Sequence, residues 1–156
     1  MRYNLTMKKT LLTALAFSLV AAAAQAQVSV TAPWVRATVP VQKSTGAFMH
    51  VQSATPARLV GVSSPVAAMV ELHKMEMHDS VMKMGPVESI ELPAGKAVNL
   101  ASGGYHIMLM GLKQQLKEGQ AVMITLQVVG KNNKRENVTL KVPVKAMTFV
   151  APQAGH

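Results

Sequence analysis

The sequence predicts an all-β protein with a single domain. Three observations support this prediction: segments that alternate between apolar and polar residues or are rich in β-branched residues recur along the chain, runs of Pro, Gly, Ser and Asn separate them, and no long stretch has a helical period. The 156 residues suit one domain of ordinary size. About seven to nine strands at this spacing favour an antiparallel sandwich or a small barrel.

The candidate strands and turns follow one another regularly along the chain. Strand character is found at 28–31, 47–53, 58–62, 69–77, 82–92, 97–100, 106–112, 121–129 and 138–144. Residues typical of turns lie between these strands at 55–56, 63–65, 93–95, 102–104 and 118–120. Two Asn in the basic cluster 131–135 indicate a hairpin tip. The stretch 112–117 has some helical character but is too short for a stable helix.

The first 26 residues resemble a secretory signal peptide. Three basic residues precede a 14-residue apolar run at 11–24, and Ala24-Gln25-Ala26 has the small-x-small pattern of a cleavage site. The apolar run is shorter than the roughly 20 residues that span a bilayer. We therefore predict cleavage after Ala26, an exported β domain at 27–150, a flexible tail at 151–156 and no membrane-integral segment in the cleaved product.

Composition excludes several kinds of chemistry. The chain has no Cys, so disulfides, thiolate zinc sites, iron–sulfur ligation and Cys nucleophiles are ruled out. The formal net charge is +9, and the predicted signal carries three of the basic residues and no acidic ones, which leaves +6. The remaining cations are scattered except at 131–135, where no aromatic residues are interleaved. Nucleic acid is therefore not an expected partner.

Methionine is the unusual feature of the composition. The chain has 12 Met, and seven of them lie in the segments 69–84 and 105–110. Side chains in a strand alternate between two faces. One face of each segment is therefore aliphatic and can supply the core (Val70 and Leu72; Ile107 and Leu109), while the other carries His and Met (His73, Met75 and Met77; His106, Met108 and Met110).

The segment 78–81 is predicted to be a four-residue hairpin loop that connects the candidate strands 69–77 and 82–92. This register pairs Met77 with Met82 and Met75 with Met84, and it leaves His73 diagonal to Met84, within reach of a long side chain. A slip of one residue would send the two sets to opposite faces. The prediction therefore requires Met82 and Met84 to emerge on the same side as His73.

Thioether and imidazole are soft to borderline ligands. A His/Met set without carboxylate or thiolate favours Cu(I), or Ag(I), over zinc, calcium or magnesium. Thioethers bind no protons, so only the imidazoles compete with protons for the metal. The alternative is packing, because methionine fills irregular cores well. Two His-x-Met spacings, each with a further Met on its own non-aliphatic face, favour ligation.

The spacing of four of these residues resembles that of a known family. His73, Met84, His106 and Met108 stand in a His-x10-Met-x21-His-x-Met pattern, which is similar to the signature of the periplasmic copper chaperone family PCu(A)C. The segments VELHKM, VMKMGPV, LPAG, GGYHIMLMGLK and APWVRA are also similar to that family. The resemblance implies a cupredoxin-like, Greek-key β-sandwich or barrel that binds one Cu(I) through His73, Met84, His106 and Met108.

The same resemblance implies a carrier and not an enzyme. Family members hold copper in the periplasm and hand it to a recipient copper protein, such as a cytochrome oxidase subunit, for assembly of the oxidase copper centre, often alongside a thioredoxin-like copper protein. Some also use tails that bear Met and His to recruit more copper, a role for which His156 alone is weak support.

Other His and Met residues have less defined roles. Met75, Met77, Met82 and Met110 are interpreted as alternate ligands or, preferably, as a hydrophobic collar around the site. His50 is assigned a structural role. His78 is expected to be an exposed loop residue, and a weaker Cu(II) contact beside Met77 is left open as a secondary site.

Competing functions have specific difficulties. A copper oxidase with an N-terminal histidine brace needs His at the mature start, where cleavage predicts Gln27. A hydrolase built from Ser80, His78 and Asp79 would place its triad on adjacent turn residues, which does not preorganise it, and no nucleophile elbow is present. The remaining alternative is a non-catalytic exported interaction module whose methionine face binds protein. Protein binding by such a module would be little affected by His106→Ala.

Overall fold

The computed structural model describes residues 27–152. The predicted signal segment 1–26 and residues 153–156, including His156, lie outside the described residues. The domain limits 27–150 and the tail at 151–156 therefore stay predictions. Within 27–152, no helix is long and apolar enough to cross a membrane.

Most of the described chain lies in strands. Ten strands are present between residues 27 and 152: β1 (Val28–Arg36), β2 (Ser44–Ser53), β3 (Ala57–Ser63), β4 (Ala67–His78), β5 (Val81–Pro86), β6 (Ile90–Leu92), β7 (Ala97–Leu100), β8 (Tyr105–Leu112), β9 (Ala121–Val129) and β10 (Arg135–Lys145). A 3-10 turn at Lys131–Asn133 joins β9 to β10, where the sequence predicts a hairpin tip.

The predicted strands at 97–100 and 121–129 are confirmed to the residue. The single strand predicted at 82–92 is wrong, because the segment divides into β5, which pairs with β4, and β6, which pairs with β3. Pro86 ends β5 and has no N–H to donate to a continuing ladder. This division gives ten strands instead of the predicted seven to nine, and residues 112–117 form no helix.

The strands form one open hydrogen-bonded path in the order β5-β4-β8-β2-β1-β10-β9-β3-β6, with β7 also paired to β2. The sequence predicts an antiparallel sandwich or barrel, and every strand pair is antiparallel except β1 with β10, which is parallel. Strand β8 lies between β4 and β2, and β9 lies between β10 and β3. Such non-sequential neighbours are typical of Greek-key connections.

The two ends of this path pack face to face around one core. Buried side chains from both ends belong to the same hydrophobic cluster, among them Leu72, Ile107 and Leu109 from one end and Leu59, Ile124 and Leu126 from the other. The all-β sandwich that the sequence predicts is confirmed. Strand β5 is the outer edge of the path, and β4 and β8 follow it inward. Because β4 and β8 are neighbours, the two His/Met segments lie side by side.

Candidate metal site

The β4–β5 hairpin closes with a two-residue turn. His78 pairs with Val81, and Asp79 and Ser80 between them have φ values of 48° and 66°. Positive φ at both central residues is the geometry of a type I′ turn, whose twist matches that of the flanking strands. The predicted four-residue loop at 78–81 is therefore wrong in extent, and His78 is the last residue of β4 and not a loop residue.

The predicted hairpin register is nevertheless confirmed. Met77 lies opposite Met82 and Met75 opposite Met84. The shorter turn keeps this pairing because it only adds one closing pair. Cross-strand partners share a face, so Met82 and Met84 emerge on the side of Met75, Met77 and His73, as predicted.

The β4–β8 pairing brings the two histidines together. His73 lies opposite His106, and their ring centroids are 5.8 Å apart. On the opposite face, Leu72 pairs with Ile107 and both are buried in the core. Met108 is placed by register on the face of His106, opposite Glu71 on β4. The aliphatic residues therefore point to the core, and the imidazoles lie on the other side of the sheet, as the alternation predicts.

Met84 reaches across β4 to His106. Its Sδ lies 2.9 Å from His106 Nε2. The other ring nitrogen of His106, Nδ1, lies 3.1 Å from the Gly104 carbonyl oxygen and can only donate to it. A neutral imidazole has one N–H, so Nε2 then presents a lone pair to the thioether, which is itself only an acceptor. In this neutral form of the ring, two electron-pair donors face each other.

His73 is held by a carboxylate. Its Nε2–H donates to Glu71 Oε2 at 2.8 Å, which leaves the lone pair on Nδ1. That Nδ1 is buried and has no hydrogen-bond partner among the described residues. A buried polar atom without a partner is costly and rare in native proteins. His73 and His106 thus each have one nitrogen fixed by a protein acceptor and one with a free lone pair.

This donor set suits a soft cation. Within residues 27–152, no group of three or more His, Asp and Glu side chains could hold a metal ion, so the thioethers are needed to complete a site here. Both imidazoles are at least nine-tenths buried, whereas Met84 is 49% exposed. Nitrogen and thioether donors match a soft monovalent ion such as Cu(I). The exposed thioether provides access from solvent.

An aromatic wall flanks the site on β2. A Cβ on Gly46, the residue opposite Met108, would lie 2.6 Å from Phe48 Cζ, so only glycine lets the ring fold over this position. The Phe48 ring lies 6.5 Å from the His106 ring and 4.6 Å from Trp34, and the Arg36 guanidinium lies over both aromatic rings. This wall limits the site on the side away from β5.

The tip of the hairpin has a charged face opposite its methionine face. Lys74 Nζ lies 2.8 Å from Glu76 Oε1, and His78 Nε2 lies 3.3 Å from Glu76 Oε2. The hydrogen bond from Lys74 lowers the pKa of Glu76, and the same bond raises the pKa of Lys74. His78 therefore lies on the face away from Met77, which does not favour a shared Cu(II) contact with that thioether.

The remaining candidates lie elsewhere. His50 is half-buried on β2, paired with Thr31 and Asn99. Met110 lies on the His/Met face, opposite Met69 on β4. Four residues have the family spacing. Short distances between side chains bring His73, Met84 and His106 together, whereas Met108 is placed near them only by the strand register.

Sequence reasoning missed three contributors to the site. Glu71 could have been found, because it stands two residues before His73 and so shares its face. Phe48 is placed by the pairing of distant strands, and Gly104 acts through its backbone carbonyl, which leaves no side-chain signal in the sequence.

The fold is that of the PCuAC class of β-sandwich domains, and the expected resemblance is confirmed. A copper-bound PCuAC domain from PmoF2 matches with a TM-score of 0.62 and 25% identity, covering 78% of this chain and 94% of that domain. Apo-DR1885 from Deinococcus radiodurans matches with a TM-score of 0.56 and 31% identity, covering 93% and 95%. CuI-DR1885 from the same organism matches with a TM-score of 0.51 and 35% identity, covering 80% and 83%.

The sequence comparisons give the family. The sequence model of the LpqE-like family matches residues 28–144, and the chain belongs to this family. A relative from Leifsonia xyli subsp. xyli (strain CTCB07), named "Putative lipoprotein Lxx21020", is 37% identical over 103 residues, which are 64% of this chain. The match spans 61% of the length of that relative.

Proposed function

We propose that this protein is an exported copper chaperone that holds one Cu(I) on His73, Met84, His106 and Met108. It delivers the ion to a recipient copper protein in the periplasm, and the recipient we propose is a cytochrome oxidase subunit or a thioredoxin-like copper protein that serves the oxidase copper centre. Copper is the cargo, and the protein carries out no chemical transformation of a substrate.

The observation that carries this proposal is the set of contacts made by the two imidazoles. Gly104 fixes the His106 proton on Nδ1 and Glu71 fixes the His73 proton on Nε2. Each ring is therefore left with one free lone pair, one facing the Met84 sulfur and one buried without a partner. A soft cation can bind such lone pairs, whereas a packed apolar core has no use for them.

The relatives support copper as the cargo. The PmoF2 domain is described as copper-bound and the DR1885 structure as a CuI form. Both share the fold described above. The relative named as a lipoprotein supports export, in agreement with the predicted signal segment.

Transfer rather than storage follows from the exposure of the ligands. Met84 is 49% exposed on the edge strand, so an incoming ligand can reach the ion from this side. Thioethers are weak ligands, and a thiolate or imidazole of a recipient can replace one arm at a time while the buried histidines still hold the ion. The absence of Cys keeps this protein from competing for the ion with a thiolate of its own.

The direct test is a Cu(I) titration of the purified protein against a competing chelator. His106→Ala and Met84→Leu each remove one donor, and we expect each to weaken binding by about 100-fold or more, since losing a mere outer-shell partner already costs 10–100-fold. Met108→Leu is expected to weaken binding while leaving apo stability within about 1.5 kcal/mol, because the two side chains have similar volume. Met123→Leu, on an exposed methionine of β9, is the control and should bind as the wild type does.

The same variants separate the chaperone from the alternative, an interaction module whose methionine face binds protein. The alternative is favoured by the 67% exposure of Met77 on the hairpin at the sheet edge. It predicts that wild type, His106→Ala and Met84→Leu all hold Cu(I) equally weakly. That result would overturn the chaperone proposal.

A further inference from the structure

The hairpin β4–β5 carries more thioethers than the proposed site uses. Two cross-strand pairs lie next to each other on its His73 face: Met75 with Met84, and Met77 with Met82. Met84 is the only member of these pairs with a place in the site described above. The Met77–Met82 pair is one step farther from His73, next to the turn.

Packing does not explain the outer pair. Met77 is 67% exposed and Met82 is 46% exposed, and neither belongs to the hydrophobic core. Strand β5 has β4 as its one hydrogen-bonded neighbour, and it forms the edge of the described sheet. Large apolar side chains on an exposed edge strand favour aggregation, and natural edges usually carry charges instead. The methionines therefore need a reason other than stability.

The two faces of the hairpin differ in chemistry. One carries Lys74, Glu76 and His78, joined by ion pairs at 2.8 and 3.3 Å. By strand alternation, the paired residues on the other face are the four methionines Met75, Met77, Met82 and Met84. A face of neutral sulfur donors attracts neither hard cations nor anions specifically. Soft monovalent cations are the ligands that match it.

We propose that Met77 and Met82, with Met75 as a third thioether, form a second position for a soft monovalent cation, Cu(I) or Ag(I). Directly opposed residues have Cβ atoms about 4.5–5.5 Å apart, and the three rotatable bonds of methionine let the sulfur atoms converge from that separation. An all-thioether position binds weakly and releases quickly. It is also independent of pH, because thioethers do not take up protons.

This second position has a defined place relative to the first. The Met75–Met84 pair lies between it and His73, and Met84 Sδ contacts His106 Nε2. An ion can move from the outer pair to the imidazoles by exchanging one thioether for the next, without entering bulk water. This entrance role rests on the proposed function, whereas binding at the outer pair does not.

Titration with Ag(I), which is soft and redox-inert, tests the inference by NMR of methionine methyl groups labelled with ¹³C. We expect the first equivalent to shift the methyls of Met84 and Met108, and a second, weaker equivalent to shift those of Met75, Met77 and Met82. The Met123 methyl should not move. A titration that ends after one equivalent, with the Met77 and Met82 methyls unmoved, overturns the second position.

The matched variant is Met77→Leu combined with Met82→Leu, which keeps the apolar volume and removes the sulfurs. It should lose the second equivalent and keep the affinity of the first within about twofold, because it leaves the four proposed ligands in place. Met123→Leu should keep both equivalents. Two equivalents retained in the double variant would contradict the proposal.

Uptake kinetics test the entrance role separately. Holding the ion beside its destination raises its effective concentration there, so the double variant should take up Cu(I) from a chelator complex about tenfold more slowly at unchanged final affinity. An unchanged rate removes the entrance role and leaves the second position. If the first equivalent leaves Met84 and Met108 unshifted while Met77 and Met82 still respond, the proposed function fails and the second position stands.

Discussion

The hairpins β4–β5 and β9–β10 are both long antiparallel pairs, but they expose different chemistry. On β9–β10, the inward residues Ile124 and Leu126 are fully buried, and the outward face is mainly polar, with the Thr125 and Thr139 hydroxyls 3.0 Å apart. On β4–β5, the outer part projects beyond the core, with charges on one face and methionines on the other.

This difference shows that the fold does not require a whole face of exposed methionines. A mainly polar outward face with one exposed methionine, Met123, is enough for β9–β10, and threonine is a better strand former than methionine on such a surface. The methionines of β4–β5 are next to the one place in the described chain where two imidazoles face each other across strands. We therefore attribute them to ligand chemistry and not to stability.

The largest expected difference between the two hairpins is in their contribution to the free energy of unfolding. Leu126→Ala on β9 should lower the free energy of unfolding by about 2–5 kcal/mol, because it opens a cavity in the shared core. Met77→Leu on β4 should leave it nearly unchanged, because Met77 is mostly in solvent. Denaturant unfolding of the apo protein measures both. Equal losses in the two variants would show that the methionine face is part of the packing.

A smaller effect concerns the carboxylate that orients His73. Glu71→Ala should lower Cu(I) affinity about 10–100-fold, since it removes the acceptor that holds the His73 proton on Nε2. Glu71→Gln should restore part of this loss, because its amide oxygen can accept the same proton.

One further measurement shows whether Glu71 acts through His73. ¹⁵N NMR of the imidazole should show the His73 tautomer disturbed in Glu71→Ala and recovered in Glu71→Gln. Glu91→Ala, on an exposed glutamate of β6, is the control. A full loss of affinity with an unchanged tautomer would contradict a positioning role for Glu71.

The smallest effect concerns the charged face of β4–β5. The pKa of Glu76 is lowered by its hydrogen bond from Lys74, so its ionised form stabilises the folded state above the ordinary carboxyl range. This contribution is lost as the pH falls below about 4 and through the lowered pKa. Wild type should therefore unfold at a slightly higher temperature than Glu76→Gln at neutral pH, and the difference should vanish in acid. A difference that persists in acid would show that the charge pair is not its cause.

Local pattern predicted much of the β4–β5 hairpin and little of what lies beside it. The period of two placed Met77 opposite Met82 and His73 on the same face, because alternation is a property of the strand backbone. The same alternation predicted a single strand at 82–92, which is wrong. Both parts of that segment have strand character, but Pro86 ends β5, and the two parts pair with different partners, β4 and β3.

The candidate site was likewise predicted only in part from the sequence. The spacing of His73, Met84, His106 and Met108 was visible in the sequence, and its family resemblance implied that the four act together. The contact of Met84 with His106 was not predicted, since diagonal geometry placed Met84 nearer His73. The folded structure was needed to identify the contributions of Glu71, Gly104 and Phe48.

The sequence by itself determined the strand alternation, the methionine register of one hairpin and the identity of the soft donors. Each of these depends on residues close together in the chain, where backbone geometry alone fixes which side chains share a face. Only the tertiary structure decided that β8 lies against β4, and with it the His73–His106 pair, the free lone pairs and the exposure of the outer methionines. Those features depend on strands more than 20 residues apart, whose pairing is selected by burial of the common core.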